Sequence, residues 1–140
     1  MPLDLVALQC AQRREQLVEH ALERSLAPVT GRPVDLGFSI ADAEEVELAH
    51  DGDDLTVSFT DWADRRRSVT FTDTVALRWQ RADDVAPGEA YDGANEIADS
   101  PWLERHRQAG EATGEHRHLK LNFNAAGCLE VLCSAVARPQ

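Results

Sequence analysis

The sequence predicts an α+β fold: an N-terminal amphipathic helix packed on a mainly antiparallel sheet of about seven strands, with a short helix before the final hairpin. Two patterns lead to this prediction. Apolar residues recur at helical spacing over residues 3–26, and most of the remaining chain alternates apolar and polar residues in short runs, as strands with one buried face do. A chain of 140 residues can bury its own core, so we expect a single domain over residues 1–140.

The predicted first helix has one apolar stripe. Its members step by three and four positions, as one face of a helix requires; they are Leu3, Ala7, Cys10, Leu17 and Ala21. Arg14 interrupts the stripe, and Pro28 cannot continue the helix. A helix with one apolar face needs a second layer to cover that face, and the β-rich remainder of the chain would supply it.

Five short strands are expected after a turn at residues 30–33. They are residues 34–40, 45–50, 55–60, 68–72 and 75–79. The pair Asp51-Gly52 is typical of a hairpin turn and would join the second of these strands to the third. Residues 81–96 have no periodicity and contain Pro87, Gly88 and Gly93, so we predict a long loop there.

The C-terminal part predicts a short helix followed by two paired strands. Ser100 suits the N-cap, Pro101 suits the first helical position, and the helix would end near Gly110. The next strand has an apolar face of Leu119, Leu121 and Phe123 and a polar face of Lys120, Asn122 and Asn124. After a turn at residues 125–127, the run 128–136 is apolar at both parities, so this last strand should be covered on both faces inside the sheet.

The net charge of −11 is concentrated in two segments. Residues 42–54 contain seven acids and residues 83–99 contain six, without any Lys or Arg; the rest of the chain, with 12 acids and 14 bases, sums to +2. Such segments repel nucleic acid and anionic membranes and attract a basic protein. We therefore expect a basic protein partner, for example a toxin, and neither nucleic acid nor a membrane.

The candidate partner-binding residues are acids of these two segments and one tryptophan. They are Asp51, Asp53, Asp54, Trp62, Asp83 and Asp84. Trp62 precedes three consecutive arginines at 65–67, and Trp and Arg often contribute most of the energy of an interface. The plainer interpretations are that acidic loops serve solubility and that Trp62 packs over its own turn.

His116 and His118 are the candidate metal ligands. Two histidines at i and i+2 of a strand project from the same face and can share a metal ion. The spacing G-x5-H-x-H over residues 110–118 resembles the start of the cupin metal motif, but Asn and Phe occupy positions 122–123, where cupins place a Glu. A metal site normally needs a third protein ligand, for which His106 is the candidate. Two histidines on a polar strand face are the simpler interpretation.

Three segments, RSVTFTDTVALRW, EIADSPWL and HLKLNFNAAGCLEVLCS, follow one another over residues 67–79, 96–103 and 118–134. Their order resembles that of small bacterial α+β domains, some of which are immunity proteins of toxin systems. The resemblance covers about the C-terminal half of the chain. It implies a strand meander, a Ser-capped element and a final hairpin, together with a protein-binding role, and it transfers no catalytic residues.

No motif in the sequence indicates an enzyme or a cofactor, since P-loop, G-x-G-x-x-G and G-x-S-x-G patterns do not occur. Three cysteines do not suggest a disulfide framework, and we expect reduced core thiols. The N-terminus has no basic signal region, so a cytoplasmic location is expected. The leading hypothesis is an acidic protein-binding module of the immunity or inhibitor kind. The alternatives are a small-molecule- or metal-binding protein or enzyme, with a pocket near His106, His116 and His118, and a homodimer formed by an edge strand.

Overall fold

The computed structural model describes residues 30–81, 85–123 and 126–137. These residues form nine β-strands and one α-helix. The strands are β1 (Thr30–Pro33), β2 (Glu44–His50), β3 (Leu55–Thr60), β4 (Arg66–Thr72), β5 (Ala76–Gln80), β6 (Ala94–Ala98), β7 (Arg117–Phe123), β8 (Gly127–Cys133) and β9 (Ala135–Ala137). Helix α1 (Pro101–Gln108) lies between β6 and β7 in the chain.

The strands form two antiparallel sheets. The four-stranded sheet has the order β9-β4-β3-β2, and the five-stranded sheet has the order β1-β6-β7-β8-β5. The chain passes from one sheet to the other at Ser134, whose backbone N–H donates to the carbonyl of Thr72 at 3.0 Å. Strands β8 and β9 therefore connect the two sheets with one residue between them.

The main core is built from alternate residues of both sheets. Its fully buried members include Val57, Phe59 and Phe71 from the four-stranded sheet and Leu121, Phe123 and Val131 from the five-stranded sheet. The ring centroids of Phe59 and Phe123 lie 6.1 Å apart, and Trp79 approaches Phe123 at the same distance. The two sheets thus bury their apolar faces against each other, as sheets do in a sandwich.

The predicted α+β class is wrong for the described residues, which are mostly β with one eight-residue helix. The predicted helix over residues 3–26 lies outside the described residues. The prediction of one sheet failed because the run 128–136 is not one strand: it breaks at Ser134, and its end pairs with β4. Since the two sheets cover each other, this core does not need a helix as its second layer.

The predicted strand at residues 34–40 is irregular, and the predicted turn before it is strand β1. Local hydrogen bonds explain the difference: the Asp35 carboxylate accepts the N–H of Gly37, and Gly37 has a φ of 89°. Such a side-chain bond to the backbone favours a turn over an extended ladder. The apolar residues of this segment nevertheless pack on the main core, and Ile40 is buried in it.

Two further predictions were wrong in the five-stranded sheet. Strand β6 occupies the end of the predicted loop, where Ala94-Asn95-Glu96 gave no strand signal. The polar face of β7 is not in water, because Lys120 and Asn122 are both buried. In contrast, the Asp51-Gly52 hairpin, strand β3 and the Ser100-capped helix are confirmed. No helix in the described parts of the chain is long and apolar enough to cross a membrane.

Candidate functional site

Strand β2 forms one edge of the four-stranded sheet. Among the described residues, β3 is the only strand that pairs with it. Most of its side chains are exposed, and a register shift between Glu44 and Glu47 bends its first half, where Glu45 has a φ of 52°. The outer side of an edge strand carries backbone N–H and C=O groups with which another chain can pair, and a bulge limits such pairing to the regular part of the strand, here its second half.

Strand β2 and the residues that flank it carry the six exposed acids of the first acidic segment. They are Asp42, Glu44, Glu45, Glu47, Asp51 and Asp53. Among the bases that the structure describes, Arg66 of β4 contacts them: its Nη2 lies 2.7 Å from Oε1 of Glu47, and its Nη1 donates to the carbonyl of Glu45. One guanidinium does not balance six carboxylates, so the edge keeps a strong negative potential.

The hairpin at one end of β2 uses two of its acids to form the turn. Oδ1 of Asp51 accepts the N–H groups of Asp53 and Asp54 at 2.9 and 2.8 Å. These bonds, first from Asp54 and then from Asp53, lower the pKa of the Asp51 carboxyl. The carboxylate of Asp54 accepts the N–H of Asp73 at 3.0 Å. Asp51 and Asp54 therefore have structural roles. Asp53 is exposed, and among the described residues its carboxylate makes no hydrogen bond.

Trp62 lies at the opposite end of the β2–β3 pair. It belongs to the turn between β3 and β4, which is built on the buried carboxylate of Asp61: this group accepts the N–H of Ala63 and of Arg65, both at 2.9 Å. The side chain of Trp62 is 65% exposed, so it is not packed over its turn. Strand β2 separates Trp62 from the Asp51 hairpin by about 20 Å. The structure does not bring these predicted residues into one cluster; it places them at the two ends of one edge.

Two of the four described acids of the second acidic segment, Glu89 and Glu96, are paired with bases inside the protein. Nζ of Lys120 lies 3.0 Å from Oε1 of the buried Glu89, and Arg117 makes two hydrogen bonds to Glu96. These bases come from β7, which the sequence order does not place beside the acids. Asp83 and Asp84 lie outside the described residues. The expectation of two unopposed acidic segments therefore holds for the first segment and fails for the described part of the second.

The two candidate metal ligands have protein partners at both ring nitrogens. His116 accepts the N–H of Thr113 at Nδ1 and contacts the carbonyl of Asp73 through Nε2 at 3.0 Å. His118 contacts Ser100 through Nδ1 and Glu130 through Nε2. His106 instead bonds Glu111. No group of three or more His, Cys, Asp or Glu suited to a metal occurs among the described residues. The metal hypothesis stays a prediction.

His116 and His118 do line a cleft of about 500 Å³. Its walls are the end of β6, the first turns of α1 and the start of β7, and they include Ser100, Glu104, Arg107 and Arg117. Sequence reasoning found Ser100 only as a helix cap, and it missed Glu130, which contacts His118. One signal could have identified Glu130: it is the single charged residue in the otherwise apolar strand β8.

Comparisons of the chain with known proteins found no relative. No protein-family model, no curated protein and no solved structure matches the chain. The acidic β2 edge and the cleft are therefore the two features of the molecule from which a function can be inferred.

Proposed function

We propose that this protein is an acidic protein-binding module of the immunity or inhibitor kind, and that a basic partner binds along the edge of β2. The observation that supports the proposal is the concentration of exposed carboxylates at one sheet edge: three lie on β2, three more lie in the residues that flank it, and Arg66 is the arginine that contacts them among the described residues. A partner binds there through an extended basic segment. Lys and Arg of that segment pair with carboxylates on both sides of the strand.

In this arrangement, backbone hydrogen bonds provide the affinity for the partner. The negative charge of the β2 edge makes binding selective for basic segments. An extended peptide can add to an exposed sheet edge through main-chain hydrogen bonds. The acids speed the approach of a cationic partner and repel acidic segments. They also disfavour a homodimer through this edge, because two copies of β2 would place like charges opposite each other.

Trp62 is the proposed anchor at one end of the edge. Its side chain is exposed in the turn that leads to Arg65 and Arg66, and a large rigid aromatic side chain gains much from burial at an interface. The Asp51–Asp54 hairpin is the acidic contact at the other end. The resemblance of the C-terminal half to bacterial immunity domains supports the same class of function.

The alternative, a small-molecule or metal site near His106, His116 and His118, is supported in part. His116 and His118 line one cleft, whereas His106 is not among its lining residues. The cleft lies on the five-stranded sheet and is separate from the β2 edge, so the two functions can be tested independently.

The test begins with capture of a partner by the tagged chain from its own host, followed by affinity measurements with the purified partner. The triple variant Glu44→Gln, Glu45→Gln, Glu47→Gln should weaken binding at least about tenfold and flatten its salt dependence. The matched control is Asp99→Asn, Glu111→Gln, Glu115→Gln, which removes the same charge from exposed positions elsewhere. Equal affinities of the two triple variants would contradict the proposed edge.

Hydrogen exchange gives a second readout of the same interface. Binding should protect backbone amides of β2, because an added strand takes them out of water. Trp62→Ala should weaken binding without changing this protection pattern, since it removes only the side-chain anchor. Protection confined to other strands would show that the partner binds elsewhere.

A further inference from the structure

Three side chains from three elements form a hydrogen-bonded chain at the inner wall of the cleft. Oγ of Ser100, the residue before α1, lies 2.7 Å from Nδ1 of His118 on β7. Nε2 of His118 lies 2.7 Å from Oε1 of Glu130 on β8. Ser100 and His118 are buried but line the cleft. A hydroxyl, an imidazole and a carboxylate in this order are the parts of a nucleophile–base–acid site, which is recognised by geometry and not by sequence position.

The contacts determine which way the protons point. Burial acts to raise the pKa of Glu130, but the hydrogen bond from His118 and the charge of Arg78 outweigh it, and the pKa is lowered overall. Glu130 is therefore an ionised acceptor, and in neutral His118 the ring proton lies on Nε2. Nδ1 then accepts the hydroxyl proton of Ser100. The oxygen of Ser100 also accepts the N–H of Leu103 at 3.1 Å, so its own proton is directed to His118.

Neighbouring groups hold this chain in place. Nη2 of Arg78 lies 3.1 Å from Oε1 of Glu130, and its guanidinium lies over the ring of Trp102 at 3.9 Å from the centroid. Trp102 in turn meets the ring of His118 edge-on at 5.1 Å. Oγ of Ser100 also sits at the positive end of α1, where negative charge on a reacting oxygen is favoured.

We infer that Ser100, His118 and Glu130 form a hydrolytic site for a small carboxylic ester, with Ser100 as nucleophile, His118 as general base and Glu130 as the residue that orients His118. Oγ of Ser100 attacks the ester carbonyl carbon while its proton passes to Nδ1 of His118. The bond from that carbon to the alcohol oxygen breaks, the alcohol leaves with the proton, and the acyl group stays on Ser100. Water then attacks the acyl carbon and gives a proton to His118. Ser100 leaves as the hydroxyl, and a carboxylic acid is released.

The cleft is large enough to hold a small carboxylic ester. Its volume of about 500 Å³ falls in the range of small-molecule sites. This inference is independent of the proposed partner-binding function, because none of its three residues lies on the four-stranded sheet. Failure of one therefore leaves the other standing.

The test is covalent labelling of the intact chain with diisopropyl fluorophosphate, located by peptide mass spectrometry. We expect one label per chain on Ser100 and a rate at least about 100-fold lower in His118→Ala. Ser100→Asn keeps an N-cap acceptor but has no nucleophile, so it should fold and stay unlabelled at this position. Ser134→Ala is the control and should be labelled like the native chain. Absence of the label on Ser100 in the folded native chain, or equal labelling of His118→Ala, would overturn the site.

Hydrolysis of p-nitrophenyl acetate provides the second readout. Acetylated Ser100 should be trapped at early times, and turnover should be lost in Ser100→Asn and unchanged in Ser134→Ala. Glu130→Gln should lower kcat at least about tenfold with little change in KM, because it alters the orientation and charge stabilisation of His118 and not the binding of the ester. If His118→Ala does not fold, the Glu130→Gln variant provides the test in its place. Equal turnover in the native chain and Ser100→Asn, or an unchanged kcat in Glu130→Gln, would rule the site out.

Discussion

Nζ of Lys120 lies 3.0 Å from Oε1 of Glu89, and both side chains are buried, with 7% and 3% of their surface exposed. Glu89 belongs to the segment at residues 85–93, which has no regular structure. Asn122 reinforces the attachment, because its Nδ2 donates to the carbonyl of Ala90 at 2.8 Å. This ion pair and its neighbours therefore hold an irregular segment against β7.

Breaking this pair should strongly destabilise the protein. Glu89→Gln leaves the ammonium of Lys120 buried without its counter-charge, which typically costs about 3 kcal/mol in the free energy of unfolding. Lys120→Met should cost a similar amount because it leaves the Glu89 carboxylate uncompensated. Urea denaturation followed by circular dichroism measures both changes.

The matched control is Glu47→Gln, which weakens the exposed pair with Arg66 and should cost at most about 1 kcal/mol. The double variant Glu89→Met, Lys120→Met should recover much of the loss, because no unpaired charge remains buried. A loss for Glu89→Gln as small as that for Glu47→Gln would show that the pair is solvated in solution.

The burial of Lys120 shows where sequence reasoning about β7 was limited. The alternation along β7 correctly separated Leu119, Leu121 and Phe123 from Lys120 and Asn122. It could not show that the polar face is covered, because residues 85–93 help to cover that face and have no period of their own. Polar residues at strand spacing indicate a separate face, and only tertiary contacts decide whether water reaches it.

Glycine 127 should be the least replaceable residue of the final hairpin. Gly127 has a φ of 139°, and a Cβ built there would lie 2.5 Å from the carbonyl oxygen of Gln80. Gly127→Ala should therefore lower the free energy of unfolding by about 2 kcal/mol or more, through backbone strain and displacement of β5. Gly114→Ala, where a Cβ would meet open space, should have little effect. Comparable midpoints for the two variants in urea would contradict this expectation.

The bidentate pair of Arg117 and Glu96 should make stability depend on acid pH. The hydrogen bond from Arg117 lowers the pKa of Glu96, against the opposing effect of burial and with help from the Arg117 charge. A lowered pKa in the folded state contributes stability above the ordinary value of 4.5, and this contribution is lost as the pH falls through the folded value. Glu96→Gln should cost about 1 kcal/mol at pH 7, since the pair is partly exposed.

The measurement is the urea midpoint of both chains between pH 7 and pH 3. The difference between native chain and Glu96→Gln should be constant near neutrality and shrink below about pH 4.5. The exposed Glu115 gives the control, because Glu115→Gln should follow the native curve. A difference that grows as the pH falls would have the wrong sign for this pair.

The site residues show a similar limit of sequence reasoning. Ser100 was predicted as the N-cap of the helix from the Ser-Pro pair, and the bond from Leu103 confirms it. Its contact with His118 joins residues 18 positions apart, and Glu130 comes from a third element. Local patterns place each residue on its element, but strand pairing and the docking of α1 determine which residues meet.

Cys133 should be unreactive in the folded protein. It faces the main core, and burial raises the pKa of its thiol to about 12, so almost no thiolate exists at neutral pH. Iodoacetamide at pH 8 should leave Cys133 unmodified in the native chain and modify it fully in concentrated urea, as peptide mass spectrometry can measure. Gly127→Ala provides a useful comparison, because weaker packing at the start of β8 should raise the modification rate at the far end of the same strand. Rapid modification of Cys133 in the native chain would mean that the strand opens readily and that the buried sheet interface is not stable in solution.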